Sequence, residues 1–179
     1  TRLPLRRLAR RFAAIPCLVA GLALVMAAAT PAAALNPSRT YKQRPETFNM
    51  VYQAGDVPTN DGEATLKVWV FQARGEGAAT ADWVLMAHSG EGNMGDYLRR
   101  VDVLTGLGLN VMTFDYRGFG ESSAFEIDPN MVIYPHFQDD LATMIDFLRQ
   151  QGKTPFHLYG WGIGAGLALG MGWGRPEIR

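Results

Sequence analysis

The sequence predicts an α/β protein: a three-layer α/β/α sandwich on a mostly parallel sheet, led by an N-terminal antiparallel hairpin. Three observations predict it. Two β-biased segments flank the turn signal Asn60-Asp61-Gly62, three short continuous apolar runs follow, and helical patterns alternate with those runs.

The hairpin is expected from Thr47 to Ala54 and from Ala64 to Gln72, where Leu66, Val68 and Val70 alternate with less apolar neighbours. Trp83 to Ala87 then reads as a strand buried on both faces, because five apolar residues run without interruption. Met94, Tyr97, Leu98, Val101 and Leu104 recur at spacings of three and four, which marks an amphipathic helix over Met94–Leu107 ended by Gly106 and Gly108. Val111 to Phe114 is the second buried strand. Phe137, Leu141, Met144, Ile145 and Leu148 define a second helix, with Asp139 and Asp140 assigned to its first turn, where the dipole favours acids. Pro155 to Tyr159 is the third buried strand, followed by the loop Gly160-Trp161-Gly162-Ile163-Gly164 and a small-residue helix to about Trp173.

The ends of the chain differ from this body. Residues 1–34 carry five arginines (Arg2, Arg6, Arg7, Arg10, Arg11) and no acid, then an uncharged run over 12–29, then Ala32-Ala33-Ala34. That is the anatomy of a signal peptide cleaved after Ala34, and it implies export to the periplasm or medium. The alternative is an uncleaved membrane anchor over residues 12–29. Residues 35–46 read as a solvated linker, and 47–179 as the folded portion.

Composition removes several function classes. With 47% hydrophobic and 19% charged residues, the chain has the makings of a real core. Setting the five leader arginines aside leaves 12 basic against 17 acidic residues. A body of about −5 lacks the basic stripe that nucleic acid requires. The single cysteine, Cys17, lies in the leader, so the body has no thiol for a disulfide, a zinc thiolate cluster or a nucleophile. His88, His136 and His157 show no metal-ligand spacing, and neither metal nor cofactor is expected. His88 reads as a structural residue at a strand end, His157 as a core or sheet-end residue, and His136 as exposed.

Three loops carry the chemistry. Gly160-Trp161-Gly162-Ile163-Gly164 follows the third buried strand and opens a helix, the place of a G-x-S-x-G nucleophile elbow. The outer glycines, Gly160 and Gly164, fit that pattern; the middle position is Gly162, which has no side chain to attack a carbonyl. His88-Ser89-Gly90 follows the first buried strand. Asp115-Tyr116-Arg117-Gly118-Phe119-Gly120-Glu121-Ser122 follows the second.

Together these loops resemble the α/β-hydrolase family, in particular its serine-aminopeptidase-like and lysophospholipase-like branch, over about Val84 to Arg179. The resemblance implies an incomplete α/β-hydrolase fold with hydrolysis of esters, amides or peptides as its type of chemistry. It implies that the backbone N–H groups of Ser89 and Ile163 would form the oxyanion hole. His88 and Gly90 would shape one turn, and Asp115, Arg117, Gly118 and Gly120 the other. The family's acid and histidine follow the elbow helix in sequence and are not expected within residues 1–179, with 175–179 resembling the loop before the next strand. With glycine at 162, ordinary acyl-enzyme chemistry is not expected.

Alternatives stand beside that reading. The cleft of a non-catalytic member could hold a small acyl or apolar ligand in the space a serine would fill. Ser89 could serve as a displaced nucleophile, although a turn role fits it better. Gly160–Gly166 could cradle a nucleotide phosphate, although the dinucleotide fingerprint belongs to a first β-α-β unit. Glu91, Asp96 and Glu121 could form an acidic rim, and Trp161 could line a pocket.

Overall fold

The computed structural model describes residues 35–75, 77–128, 131 and 134–179; the expected leader and the alternative anchor fall outside them. Its elements are β1 (Asn36–Pro37), β2 (Gln53–Pro58), β3 (Thr65–Phe71), β4 (Trp83–Ala87), β5 (Glu91–Gly92), α1 (Leu98–Gly106), β6 (Asn110–Phe114), α2 (Pro135–Gln150), β7 (Phe156–Gly160) and α3 (Ile163–Gly172). Five strands form one open sheet in the order β2-β3-β6-β4-β7. β6, β4 and β7 are mutually parallel, and the β2–β3 hairpin joins β6 antiparallel. No helix among the described residues is long and apolar enough to cross a membrane.

Period-two alternation divides the core into two layers. On one face, Leu66, Val68, Leu85, Met112 and Phe114 pack with Phe137, Leu141, Met144 and Leu148 of α2 and Leu167 of α3. On the other, Trp69, Phe71, Val84, Met86 and Val111 pack with Leu98 and Val101 of α1. The continuous apolar runs of β4 and β6 are thereby explained: both faces are covered.

Several boundaries depart from the sequence reading. The first hairpin strand runs from Gln53 to Pro58 rather than Thr47 to Ala54. Pro45 opens a 3-10 turn over Pro45–Phe48, and Asn49 follows in the left-handed region (φ 52°), which breaks an extended run. Phe48, Met50 and Tyr52 still alternate onto the Trp69–Phe71 face, so the pattern is real but lies outside the ladder. The helix expected at Met94 begins with a 3-10 turn, Met94–Tyr97, capped by Asn93 and Asp96. α2 starts at Pro135, so Asp139 and Asp140 sit beyond its first turn. Asp140 is buried instead, paired with Arg117. His157 is not in the core but 3.6 Å from Asp82 with 42% of its side chain exposed. His136 is half-buried against the ring of Phe125 at 5.0 Å rather than exposed.

Residues 35–46 are docked rather than wholly solvated. Leu35 is 2% exposed. β1 pairs in parallel with β5, Ser38 O accepts from the Gly120 amide at 2.9 Å, and Asn93 Nδ2 donates to Ser38 O and Thr40 O. At the other end, Ile178 makes an isolated parallel bridge to Phe156.

Candidate functional site

The carboxyl ends of β4, β6 and β7 bring the three loops together, the position where open α/β sheets hold their ligands. β7 ends at Gly160 and α3 begins at Ile163, so only Trp161 and Gly162 make the bend between them. Gly162 has φ 56° and ψ −125°, a combination closed to side chains in relaxed backbone but open to glycine. Gly160 packs on the backbone of Gly164 and Ala165, and Gly164 packs on the carbonyls of Ala87 and His88. Small residues at these places let α3 start directly against β4.

Ser89 packs against one side of that bend, whose apex is exposed. A Cβ built on Gly162 would stand 2.8 Å from Ser89 Cβ, 3.0 Å from Ser89 O and 3.1 Å from Ser89 Cα. A side chain at 162 would therefore require Ser89 to shift by a few tenths of an ångström. The amides expected to face the cleft have partners. Ser89 N–H donates to the Tyr97 hydroxyl at 2.9 Å, and Ile163 N–H donates to Ser89 O at 3.4 Å. The amides of Trp161 and Ala165 likewise bond to Ala87 O and Gly162 O, which removes these donors from any phosphate cradle over Gly160–Gly166. The Ser89 hydroxyl accepts from the Glu91 amide at 3.1 Å as a turn residue does, and His88 does not reach it.

His88 is buried beneath the loop. Its Nδ1 faces the Gly90 amide at 3.2 Å and its Nε2 faces the Tyr116 amide at 3.4 Å, and its ring packs on Tyr116 and Phe119. Burial pushes its pKa down to about 3, so the ring is neutral and structural. Gly90 itself lies against Leu35 and Ile163.

Asp115 is the buried centre of the second loop. Its Oδ1 accepts from the Met94 amide at 2.7 Å, its Oδ2 accepts from the Tyr41 hydroxyl, and Gly120 passes close beside it. Burial raises its pKa to about 7, against the hydrogen bonds from Tyr41 and Met94 that lower it. A carboxyl whose folded pKa lies above its unfolded value contributes stability at low pH that disappears as pH rises through the folded value. Between about pH 4 and 7 the wild type should therefore lose up to about 1.4 kcal/mol per pH unit relative to Asp115→Asn. His88 has the opposite sign, losing stability as pH falls below about 6.5, and because its Nε2 lies 3.8 Å from Asp115 Oδ1 the comparison reads the pair rather than Asp115 alone. Parallel urea titrations of the two proteins at pH 5 and pH 8 measure the difference.

Arg117 braces the same turn from the other side. Its Nε and terminal nitrogen meet Asp140 Oδ1 at 2.9 and 2.8 Å, a terminal nitrogen meets Asp61 Oδ2 at 2.8 Å, and its amide donates to Asp140 Oδ2. This pairing explains the burial of Asp140. Gly118 lies against Ile127. The acidic residues do not form one rim: Glu121 pairs with Arg44 at 2.5 Å, and Asp96 caps Asn93. Sequence reading missed Tyr41, Tyr97, Asp61 and Asp140. Asp61, inside a turn signal, and Tyr97 and Asp140, at helical positions facing the core, carried a local mark; Tyr41 carried none.

A mixed sheet flanked by helices, with a two-residue strand-to-helix bend at its carboxyl edge and a His-Ser-Gly loop opposite, defines the α/β-hydrolase class. The chain belongs to the serine aminopeptidase S33 family, whose model matches residues 78–178, more than half of the chain. Protein bem46 of Schizosaccharomyces pombe is 28% identical over 145 residues, covering 79% of this chain and 46% of its own. Lysophosphatidylserine lipase ABHD12 of Danio rerio is 30% identical over 91 residues, covering 49% of this chain and 22% of its own. Among solved structures, the Pyrococcus furiosus esterase Pf2001 superposes with a TM-score of 0.65 at 21% identity, covering 81% of this chain and 53% of that one. The chain thus spans about half the length of bem46 and of Pf2001, and less of ABHD12.

Proposed function

We propose that this is an exported hydrolase-fold protein, of the ester-, amide- or peptide-cleaving type by family, whose elbow does not perform serine acyl transfer. The carrying observation is Gly162 at the bend with Ser89 packed where its Cβ would stand. Acyl transfer needs a nucleophile within reach of an oxyanion hole. Here the apex has no side chain, and the Ser89 and Ile163 amides already donate to Tyr97 and Ser89. An oxyanion hole and binding alone sustain only roughly 10³ to 10⁴-fold over water. Binding is the role left to the cleft. Export rests on the leader-like residues 1–34, and N-terminal sequencing of protein recovered outside the cytoplasm should begin at Leu35.

The test is p-nitrophenyl butyrate hydrolysis by the full-length wild type and by Gly162→Ser. The wild type should show no turnover above the residual level. Gly162→Ser should lose about 1–3 kcal/mol from its backbone strain and a similar amount from overpacking against Ser89, without an acyl-enzyme burst. Wild-type turnover blocked by a serine-directed covalent probe would overturn the proposal.

A further inference from the structure

Beside the bend lies an open cleft of about 560 Å³, bordered by Ser38 and Lys42 of the docked N-terminal segment and by Ser89, Tyr97, Arg100 and Trp161. The Arg100 guanidinium stands over two rings, 5.1 Å from the Tyr97 centroid and 5.4 Å from the Trp161 centroid. Rings hold a guanidinium by its face and leave the N–H donors at its edge free, in the fork that matches a carboxylate or phosphate. Among the described residues no carboxylate pairs with Arg100 or with Lys42. Two acids also line the cleft: Asp96, which accepts from the Asn93 amide, and Glu91 on β5, and neither pairs with Arg100 or Lys42. Trp161, 55% exposed, adds an apolar surface immediately next to Gly162.

We propose that this cleft binds a carboxylate or phosphate ligand bearing an acyl chain, with the anion in the plane of the Arg100 guanidinium, Lys42 as the second cation, and the chain along Trp161. The proposal rests on the non-catalytic reading of the elbow and assigns a ligand class to it. A charge-assisted, two-pronged contact to a guanidinium is specific to planar or tetrahedral oxyanions, so an uncharged analogue of equal length should bind far less well.

Calorimetry and tryptophan fluorescence with decanoate, decyl phosphate, decanol and inorganic phosphate test it on the full-length protein. Decanoate or decyl phosphate should bind the wild type. Arg100→Gln, an exposed helix-surface change whose folding is checked by its melting temperature, should weaken that binding at least about tenfold. Arg100→Lys should weaken it too, because a point charge does not replace the fork. Decanol binding as tightly as decanoate, or Arg100→Gln binding as the wild type does, would overturn the anion site. Inorganic phosphate binding as tightly as decyl phosphate would keep the anion site and overturn the acyl part. Ester turnover by the wild type would instead count against the non-catalytic elbow, and the binding comparison would stand apart from it.

Discussion

Gly164→Ala is expected to be among the most destabilising single substitutions at the bend. A Cβ at 164 would stand 2.6 Å from His88 O and closer still to Ala87 O, and 2.8 Å from Ala87 C. All three are backbone atoms of β4 and the loop leaving it, so no rotamer change relieves the overlap. Extra atoms in a tight core typically cost about 1–3 kcal/mol, and this overlap moves a helix off the central strand. A loss above about 4 kcal/mol is therefore expected, a large share of a domain's total stability. Two residues along the same helix, a Cβ on Gly166 meets nothing within 4 Å. Gly166→Ala should accordingly gain up to about 1 kcal/mol from helix propensity. Urea midpoints of the two variants against the wild type measure the contrast, and equal effects would show that α3 does not seat on β4 as described.

Arg117→Met is the second large effect, expected to cost about 3–5 kcal/mol. Arg117 is 2% exposed and Asp140 is fully buried. Removing the guanidinium leaves the Asp140 carboxylate without its compensating charge, and burial already pushes that carboxyl upward while Arg117 holds it down. Asp140 would then take up a proton more readily, so the deficit should shrink as pH falls. The double variant Arg117→Met with Asp140→Leu should recover part of the loss, because two matched apolar groups bury no charge. Denaturation of the four proteins of this cycle at pH 5 and pH 8 checks both statements. A double variant no better than Arg117→Met would mean that the loss comes from packing rather than from the orphaned charge.

Much of this architecture was legible in the sequence because it depends on local periodicity. β4 and β6 are read from uninterrupted apolar runs, and α2 from its three-and-four spacing. The bend at Gly162 is read from the spacing of Gly160 and Gly164 after an apolar run. The partners of Arg117 were not legible. Asp61 lies 56 residues before it in a hairpin turn, and Asp140 lies 23 after it on a helix; nothing local links them. The docking contacts of segment 35–46 were not legible for a related reason. Its attachment is made by backbone groups pairing with Gly90, Gly92 and Gly120, and by Tyr41 reaching Asp115. Few apolar side chains mark such a segment, yet it borders the cleft. The packing of Ser89 beside Gly162 was equally invisible, because it depends on the Tyr97 hydroxyl eight residues away.

Intact-mass spectrometry of the full-length native protein after exposure to a fluorophosphonate tests the proposed non-catalytic elbow most directly. Without a nucleophile held in an oxyanion hole, the mass should stay unchanged while a control serine hydrolase is labelled to completion. A stoichiometric adduct on the wild type, above all one mapping to Ser89, would show a reactive hydroxyl in the cleft and contradict the account.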